Sequence, residues 1–378
     1  MKIYLVGGAV RDSLLNIPFK DKDYLVVGAT PEIMVNLGFK PIGKDFPVFL
    51  HPKSNEEYAL ARTEKKIAAG HKGFNFYASP DVSIEEDLKR RDITINAIAQ
   101  DSEGNYIDPY DGISDIGKKI IRHVSPSFQE DPLRVLRVAR FKAKLPSFVI
   151  YDETMMLMKR MVADGEVECL SSERVTAELM KGLDQKDAFS MLEVLDECAA
   201  LPIIFPDISF KKHNRAVKKL FDLANEAQVS NSKRLLLFLL AVNFEDNLIN
   251  PTIEVNTRII KLTAEINKII VLLQKYSDKL INFFTLNVES QLDLLGVFDF
   301  FRRPHRVIEC IDLISLVLQG RDLSNVLLLE GRSLILEYQA DLLHNKITVD
   351  KDQSGENIKR ALYRERLNTL SKLKNRYS

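Results

Sequence analysis

The chain has 378 residues, 46% of them hydrophobic, enough for two or three cored domains at the usual ~150 residues each, which excludes a disordered protein. Lysine plus arginine and aspartate plus glutamate number 53 each, so no whole-chain charge draws in nucleic acid, and any polyanion site must be a local patch. Three scattered cysteines, Cys169, Cys198 and Cys310, exclude a disulfide framework or a zinc knuckle and fit a reducing compartment. A short apolar run before Gly7-Gly8 lacks the features of a signal peptide, and no stretch approaches the ~18 apolar residues of a membrane span. The expectation is a soluble, cytoplasmic protein with no membrane partner.

Ten of the sixteen glycines fall in the first 120 residues, among short β-rich runs at Ile3 to Val6, Tyr24 to Val27, Phe46 to Leu50 and Glu57 to Ala61. This part reads as mixed α/β. From about Asp131 the apolar spacing becomes helical, over Asp131 to Lys144, Ser172 to Gly182, Ala188 to Ala200, Lys233 to Phe244 and Thr257 to Tyr276. Joints are expected at Pro146, Pro202, Pro206, Pro251 and Pro304, because proline disfavours helical geometry in the residue before it. The last twenty residues carry seven Lys or Arg against one Glu, either as a solvated terminal helix or as a contact for a phosphate backbone.

Four segments carry candidate chemistry. The first is a strand followed by Gly7-Gly8 and a helix beginning Ala9-Val10-Arg11-Asp12. Paired glycines there let backbone amides approach a polyphosphate, and Arg11 adds charge, although a structural turn would look the same. The second puts Asp21 and Asp23 at i and i+2 at the head of a strand. Alternation then projects both carboxylates to one face, close enough to share a divalent cation, as in two-metal phosphoryl transfer. In the third, Asp87 to Ala97, three cations precede Asp92 and Asn96, which share a face if the segment is helical and suit a ribose or fix the loop, while Arg91 suits a triphosphate, although a capped surface helix would serve equally well. The fourth starts a helix at Asp131-Pro132 and repeats arginine at 134, 137 and 140. No acidic residue follows these arginines at i+3 or i+4, so an anionic ligand is the expected partner rather than a local ion pair.

These segments together resemble the bacterial CCA-adding enzymes, tRNA nucleotidyltransferases of the class that also includes bacterial poly(A) polymerases. The resemblance rests on LVGGAVRD (5 to 12), DKD (21 to 23), IGKDFPVFLHP (42 to 52), EEYALARTE (56 to 64), DLKRRDITINA (87 to 97), IDPYDG (107 to 112) and EDPLRVLRVAR (130 to 140). It implies an α+β protein: a DNA polymerase β-like nucleotidyltransferase head over 1–140, a helical neck over 141–208, and a helical body and tail over 209–378 that hold tRNA. Asp21 and Asp23 would bind Mg²⁺ and serve catalysis. Gly8, Arg11 and Arg91 would bind the triphosphate of ATP or CTP, and Asp92 and Asn96 the ribose. Asp131 and Arg134 would read the base edge, with Arg137 and Arg140 completing the nucleotide site.

A carboxylate accepts from the exocyclic amino group that C and A share, and an arginine donates to ring acceptors, so G and U present the wrong polarity. The implied partners are the tRNA 3′ end, ATP and CTP, with no stable protein partner. The segment Thr63 to Glu85 matches the loop such enzymes use in switching from C to A. Within the class the rivals are a poly(A) polymerase or an A-adding enzyme; outside it, an inactive RNA-binding protein. One departure from many relatives is that Asn243-Phe244-Glu245-Asp246 stands where a phosphohydrolase His-Asp pair is expected, so the body is expected to lack that metal and its hydrolase activity.

Overall fold

Strand β1 (Lys2–Val6) runs into helix α1 (Gly8–Leu14) through Gly7, and β2 (Asp23–Val27) returns antiparallel to β1. These features belong to a computed structural model that describes residues 1–42, 48–66, 74–206, 208–245, 248–249, 259–344 and 355–377. Helix α2 (Pro31–Asn36) leads to β3 (Lys40–Ile42), β4 (Val48–Leu50) and β5 (Glu57–Leu60), followed by the paired strands β6 (Arg62–Lys66) and β7 (Phe74–Ala78). After α3 (Ile84–Lys89), β8 (Ala99–Gln100) and β9 (Tyr106–Ile107) complete a seven-stranded mixed sheet in the order β3-β4-β5-β2-β1-β8-β9.

Strand alternation gives this sheet two apolar faces. Tyr4, Val6 and Leu25 pack with Val82, Ile84 and Leu88 on one side, and Val26, Leu60 and Phe49 with Met34 on the other. The expected strands are all present within a residue or two, except that residues 46 and 47, with the rest of the 43–47 stretch, lie outside the described residues. Of the expected switching loop, Thr63 to Glu85, residues 67–73 with Gly70 and Gly73 also lie outside them.

Helices take over after α4 (Gly112–Lys118) and β10 (Ile120–Ile121). Helix α5 (Leu133–Lys144) starts within a residue of the expected Asp131-Pro132 start, and Asp131 Oδ1 accepts from the Leu133 amide at 3.1 Å. β11 (Val149–Ile150) and α6 (Asp152–Ala163) follow, and then α5 packs against α7 (Ser172–Leu183) and α8 (Ala188–Glu197), burying Val135, Leu136, Val138 and Ala139 completely.

Pro202 marks a helix boundary as expected, between the end of α8 at Glu197 and the start of α9. It occupies the first turn of the short α9 (Leu201–Ile204), where its missing N–H leaves no bond unmade. The chain forms two compact units, the first from Met1 to Pro206 with the described residues 259–261 alongside, the second from the remainder of the described chain.

The second unit is helical: α10 (Phe210–Glu226), α11 (Asn231–Val242), α12 (Ala264–Ile281), α13 (Val288–Val297), α14 (His305–Gly320), α15 (Val326–His344) and α16 (Gly355–Lys374). The run Thr257 to Tyr276 was expected as one helix, but α12 begins only at Ala264, where Thr263 Oγ1 accepts from the Ile266 amide at 3.3 Å; residues 257 and 258 lie outside the described set. Among the described residues no helix is long and apolar enough to cross a membrane.

Candidate active site

The register of the sheet assembles the site. Val6, the last residue of β1, lies opposite Asp23, the first of β2, so the Gly7-Gly8 turn and Asp23 share one sheet end. On its other side Asp23 is paired in parallel register with Glu57 of β5, which puts a further carboxylate-bearing position next to it. Asp21 lies two residues before the strand, so the expected strand alternation of Asp21 and Asp23 is replaced by a loop-and-strand pair.

The surroundings desolvate the Asp23 carboxyl and raise its pKa above the ordinary carboxylate value; Arg91 opposes the rise and Asp21 adds to it. Neither aspartate has an ion-pair partner among the described residues. Two neighbouring carboxylates with one resisting ionisation suit a cation. No three His, Cys, Asp or Glu side chains close into a metal cage among the described residues. Two carboxylates alone suit a divalent cation that completes its coordination with water and substrate oxygens.

Gly7 adopts φ +71°, and its amide donates to Ile98 O at 3.2 Å. A Cβ at this position would stand 2.9 Å from Arg91 Nη1, so glycine serves both the left-handed turn and the approach of that guanidinium. Arg91 donates to Asn96 O (3.3 Å) and to Asp87 Oδ2 (3.4 Å), while its buried Nε has no hydrogen-bond partner among the described residues. Desolvation lowers its pKa, with Asp87 acting in the opposite direction. A desolvated guanidinium with an unused donor beside a glycine turn is the kind of arrangement that suits a phosphate.

Gly7→Ala should therefore lose about 1–2 kcal/mol of stability from the backbone alone. Denaturant unfolding of the variant checks it.

A cavity of about 390 Å³ opens here, lined by Gly7, Gly8 and Asp23, by Arg62, Arg90, Arg91, Arg134, Arg137 and Arg174, by Asp92, Asn96 and Asp131, and by Leu133. Asp21, Arg11 and Arg140 are not among its lining residues. Arg11 is buried. Its Nε and Nη2 donate to Asp12 Oδ1 at 2.9 and 2.8 Å, and its Nη1 donates to Asn96 Oδ1 at 2.5 Å. It therefore reaches the cavity only through Asn96.

Asp92 and Asn96 are not two positions on an α-helix. Asp92 precedes an extended Ile93, and Thr94–Asn96 form a single 3-10 turn. The pair still meets, Asn96 Nδ2 donating to Asp92 Oδ1 at 3.2 Å.

The arginine row of α5 is also corrected. Its residues lack local acidic neighbours, yet distant segments supply partners. Arg137 Nε donates to Asp92 Oδ2 (2.7 Å), Arg140 Nε to Glu178 Oε2 (2.6 Å), and Arg134 to the carbonyls of Ser127 (2.7 Å) and Arg90 (2.5 Å). Burial alone would raise the Asp92 carboxyl, but Arg137 and the Asn96 hydrogen bond overcome that and hold its pKa far below the ordinary range. Asp87, fully buried, is likewise held low by Arg90 and Arg91 against its desolvation.

Arg174 and Glu178 escaped the sequence argument. Arg174 Nη2 donates to Asp131 Oδ2 at 2.8 Å, orienting the carboxylate expected to read the base. Their signal was available: four residues apart on α7, they share a face, Glu178 reaching α5 and Arg174 the Asp131 just before it. In the second unit, Asn243 turns its amide back to Leu239 O (2.8 Å) at the end of α11; the Glu245 side chain and Asp246 lie outside the described residues.

A glycine turn and a carboxylate pair at one end of a small mixed sheet, followed by helices, are the features of a nucleotidyltransferase head domain, a class that uses divalent metal ions. Residues 3–122 match the family described as "Poly A polymerase head domain", and residues 147–211 the family described as "Probable RNA and SrmB-binding site of polymerase A". The chain is 59% identical over 211 residues to the CCA-adding enzyme of Coxiella burnetii (strain RSA 493 / Nine Mile phase I), a match covering 56% of each protein. It is 59% identical over 208 residues to the multifunctional CCA protein of Methylobacillus flagellatus, covering 55% of this chain and 51% of the relative. These matches span little more than half the length of either relative.

Among solved structures, an apo CCA-adding enzyme superposes with a TM-score of 0.72 at 23% identity, covering 98% of this chain and 88% of that one. The Thermotoga maritima CCA-adding enzyme complexed with tRNA superposes with a TM-score of 0.67 at 21% identity, covering 100% and 92%. Both likenesses concern the fold. The chain resembles the CCA-adding enzymes in particular.

Proposed function

We propose that this chain is a cytoplasmic, template-independent nucleotidyltransferase that adds C, C and A to the 3′ end of tRNA from CTP and ATP, releasing pyrophosphate. The observation that carries the proposal is the cavity itself, where Asp23 and the glycine turn face an arginine cluster that includes Arg134 beside Asp131. Relatives that are 59% identical through this region are CCA-adding enzymes, and solved structures of such enzymes hold tRNA, CTP or ATP.

In this reading Asp21 and Asp23 hold Mg²⁺, which supplies charge stabilisation at the α-phosphate. The tRNA 3′ oxygen bonds to that phosphorus as the bond to the pyrophosphate oxygen breaks. Gly8 and Arg91 hold the triphosphate, with Arg11 and Asn96 fixing the turn beneath it. Asp92 serves the ribose side and is itself held by Arg137. Asp131 accepts from the exocyclic amine of C or A, since each of its oxygens has a second lone pair beyond the capping bond and the Arg174 bond. Arg134 donates to the ring acceptors, and Arg140 anchors α5 through Glu178. The head over 1–140 does the chemistry, and the neck (141–208) and the body and tail (209–378) hold the RNA.

Extension of a tRNA lacking its 3′ end, with CTP alone, ATP alone and both, tests the reading. Two added C residues with CTP and completion only with both nucleotides are expected. Long A tails from ATP alone would make this a poly(A) polymerase, and a single A on a CC end with no C addition an A-adding enzyme.

The tail sharpens the RNA-binding part. Of its seven cations, Arg366 stacks over Phe301 (3.6 Å) and Lys374 donates to Leu286 O (2.5 Å), so both serve packing, while Lys359, Arg364 and Lys372 are exposed. Because α16 buries Leu370 and Leu373, removing it would open the core; substitution is the cleaner test. Lys359→Gln, Arg364→Gln and Lys372→Gln combined should raise the tRNA KM and flatten its salt dependence, each lost phosphate contact lowering the log-log slope by about 0.7–0.9. An unchanged slope would assign the cluster to solvent.

A further inference from the structure

Arg137, Phe141 and Lys144 fall at i, i+4 and i+7 on α5 and so share one helical face. That face meets α1. Lys144 Nζ donates to Asp12 Oδ2 at 2.7 Å, and the other oxygen of Asp12 receives Arg11. Arg11 passes to Asn96, Asn96 to Asp92, and Asp92 back to Arg137, two helical turns before Lys144. The guanidinium groups of Arg11 and Arg137 both stand over the Phe141 ring, 5.3 and 5.7 Å from its centroid, which closes the ring of contacts around an aromatic centre.

The circuit alternates in charge: Lys144, Asp12, Arg11, the neutral Asn96, Asp92, Arg137. Asp12 and Lys144 do not line the cavity. They are nevertheless the far end of the polar attachment of α5, and Asp131 and Arg134 lie at its other end. Arg137 and Lys144 tie the helix at points about 10 Å apart along its axis, which adds to the Arg134 bonds in fixing its tilt and axial register.

We infer that Lys144 and Asp12 are positioning residues that set the register of α5 against the glycine turn, and through it the placement of Asp131 and Arg134 on the incoming base. The inference rests on the nucleotidyltransferase reading and deepens it. Without the lysine ammonium, Asp12 is left to Arg11 alone. The guanidinium is then drawn towards Asp12 and away from Asn96, which loosens Asn96 from Asp92 and Asp92 from the helix.

The test is Lys144→Met beside Lys144→Arg, which keeps the charge and can still reach Asp12. CTP affinity is measured by calorimetric titration without tRNA, and addition to tRNA with all four triphosphates is measured in parallel. Lys144→Met should weaken CTP binding about tenfold, raise the KM for both CTP and ATP by a similar factor, and narrow discrimination against UTP and GTP, with kcat changed less than KM. Lys144→Arg should restore most of each loss. A Lys144→Met protein with wild-type CTP affinity and discrimination but a lower melting temperature would make the contact a structural tie and overturn the inference. Should that variant not fold, Asp12→Asn, which keeps an acceptor for Arg11, carries the same expectations. A wild-type protein that does not extend tRNA would sink the functional reading separately, and the titration would still judge the positioning claim.

Discussion

Asp23→Asn should abolish addition of both C and A, with the rate of tRNA extension falling by about a thousandfold or more, because on the proposed reading the substitution removes a ligand for the ion that stabilises charge at the reacting phosphorus. Asp21→Asn should do the same. A defect of this origin separates from a folding defect. The Asp23 carboxyl has its pKa raised by desolvation and by Asp21, so the fold disfavours its ionised form; a neutral amide there should leave the metal-free protein no less stable than wild type. Full retention of thermal stability and tRNA binding together with loss of extension is the expected pattern. Extension by either variant at more than a few percent of the wild-type rate in Mg²⁺ would remove these residues from catalysis.

What the sequence disclosed follows the range of the forces involved. Gly7-Gly8, Asp23 and Asp131-Pro132 are legible because a turn, a strand head and a helix cap are decided by neighbouring residues. The strands Lys2–Val6 and Asp23–Val27 follow from local alternation in the same way. The arginines of α5 misled because pairing was sought at i+3 and i+4, whereas Asp92 lies 45 residues from Arg137 and Glu178 lies 38 residues from Arg140. Arg11 was read as a ligand because its residue type and its place after a glycine turn suit one; its burial against Asp12 and Asn96, 85 residues away, depends on the tertiary fold. The sequence leaves open whether Glu57 on a neighbouring strand is a further carboxylate, and the parallel register of β2 and β5 sets it beside Asp23. The start of α12 was missed because Ile259 and Ile260 continue the apolar run while standing outside the helix, and the true boundary is the Thr263 cap.

Asp92→Ala should be the most destabilising change at the site, because Asp92 is buried and both its oxygens are engaged, Oδ2 by Arg137 and Oδ1 by Asn96 and the Ile93 amide. Breaking a fully buried ion pair costs about 3–5 kcal/mol. Here about a third of the Arg137 side chain still meets water (35%), so a loss of about 2–3 kcal/mol is expected at neutral pH. The pH dependence identifies its source. The folded pKa of Asp92 lies far below the ~3.9 of an unfolded aspartate, so its contribution is fully present above that value and disappears as pH falls towards the folded pKa. The stability gap between wild type and Asp92→Ala should therefore stay constant from about pH 8 to pH 5 and narrow below about pH 4. Arg137→Ala should narrow it in the same window, since it removes the cation that depresses the carboxyl. Denaturant unfolding of the four members of the Asp92/Arg137 double-mutant cycle at pH 7 and at pH 3.5 measures both effects; a gap that stays equal at the two pH values would mean that Asp92 contributes through packing rather than through its charge.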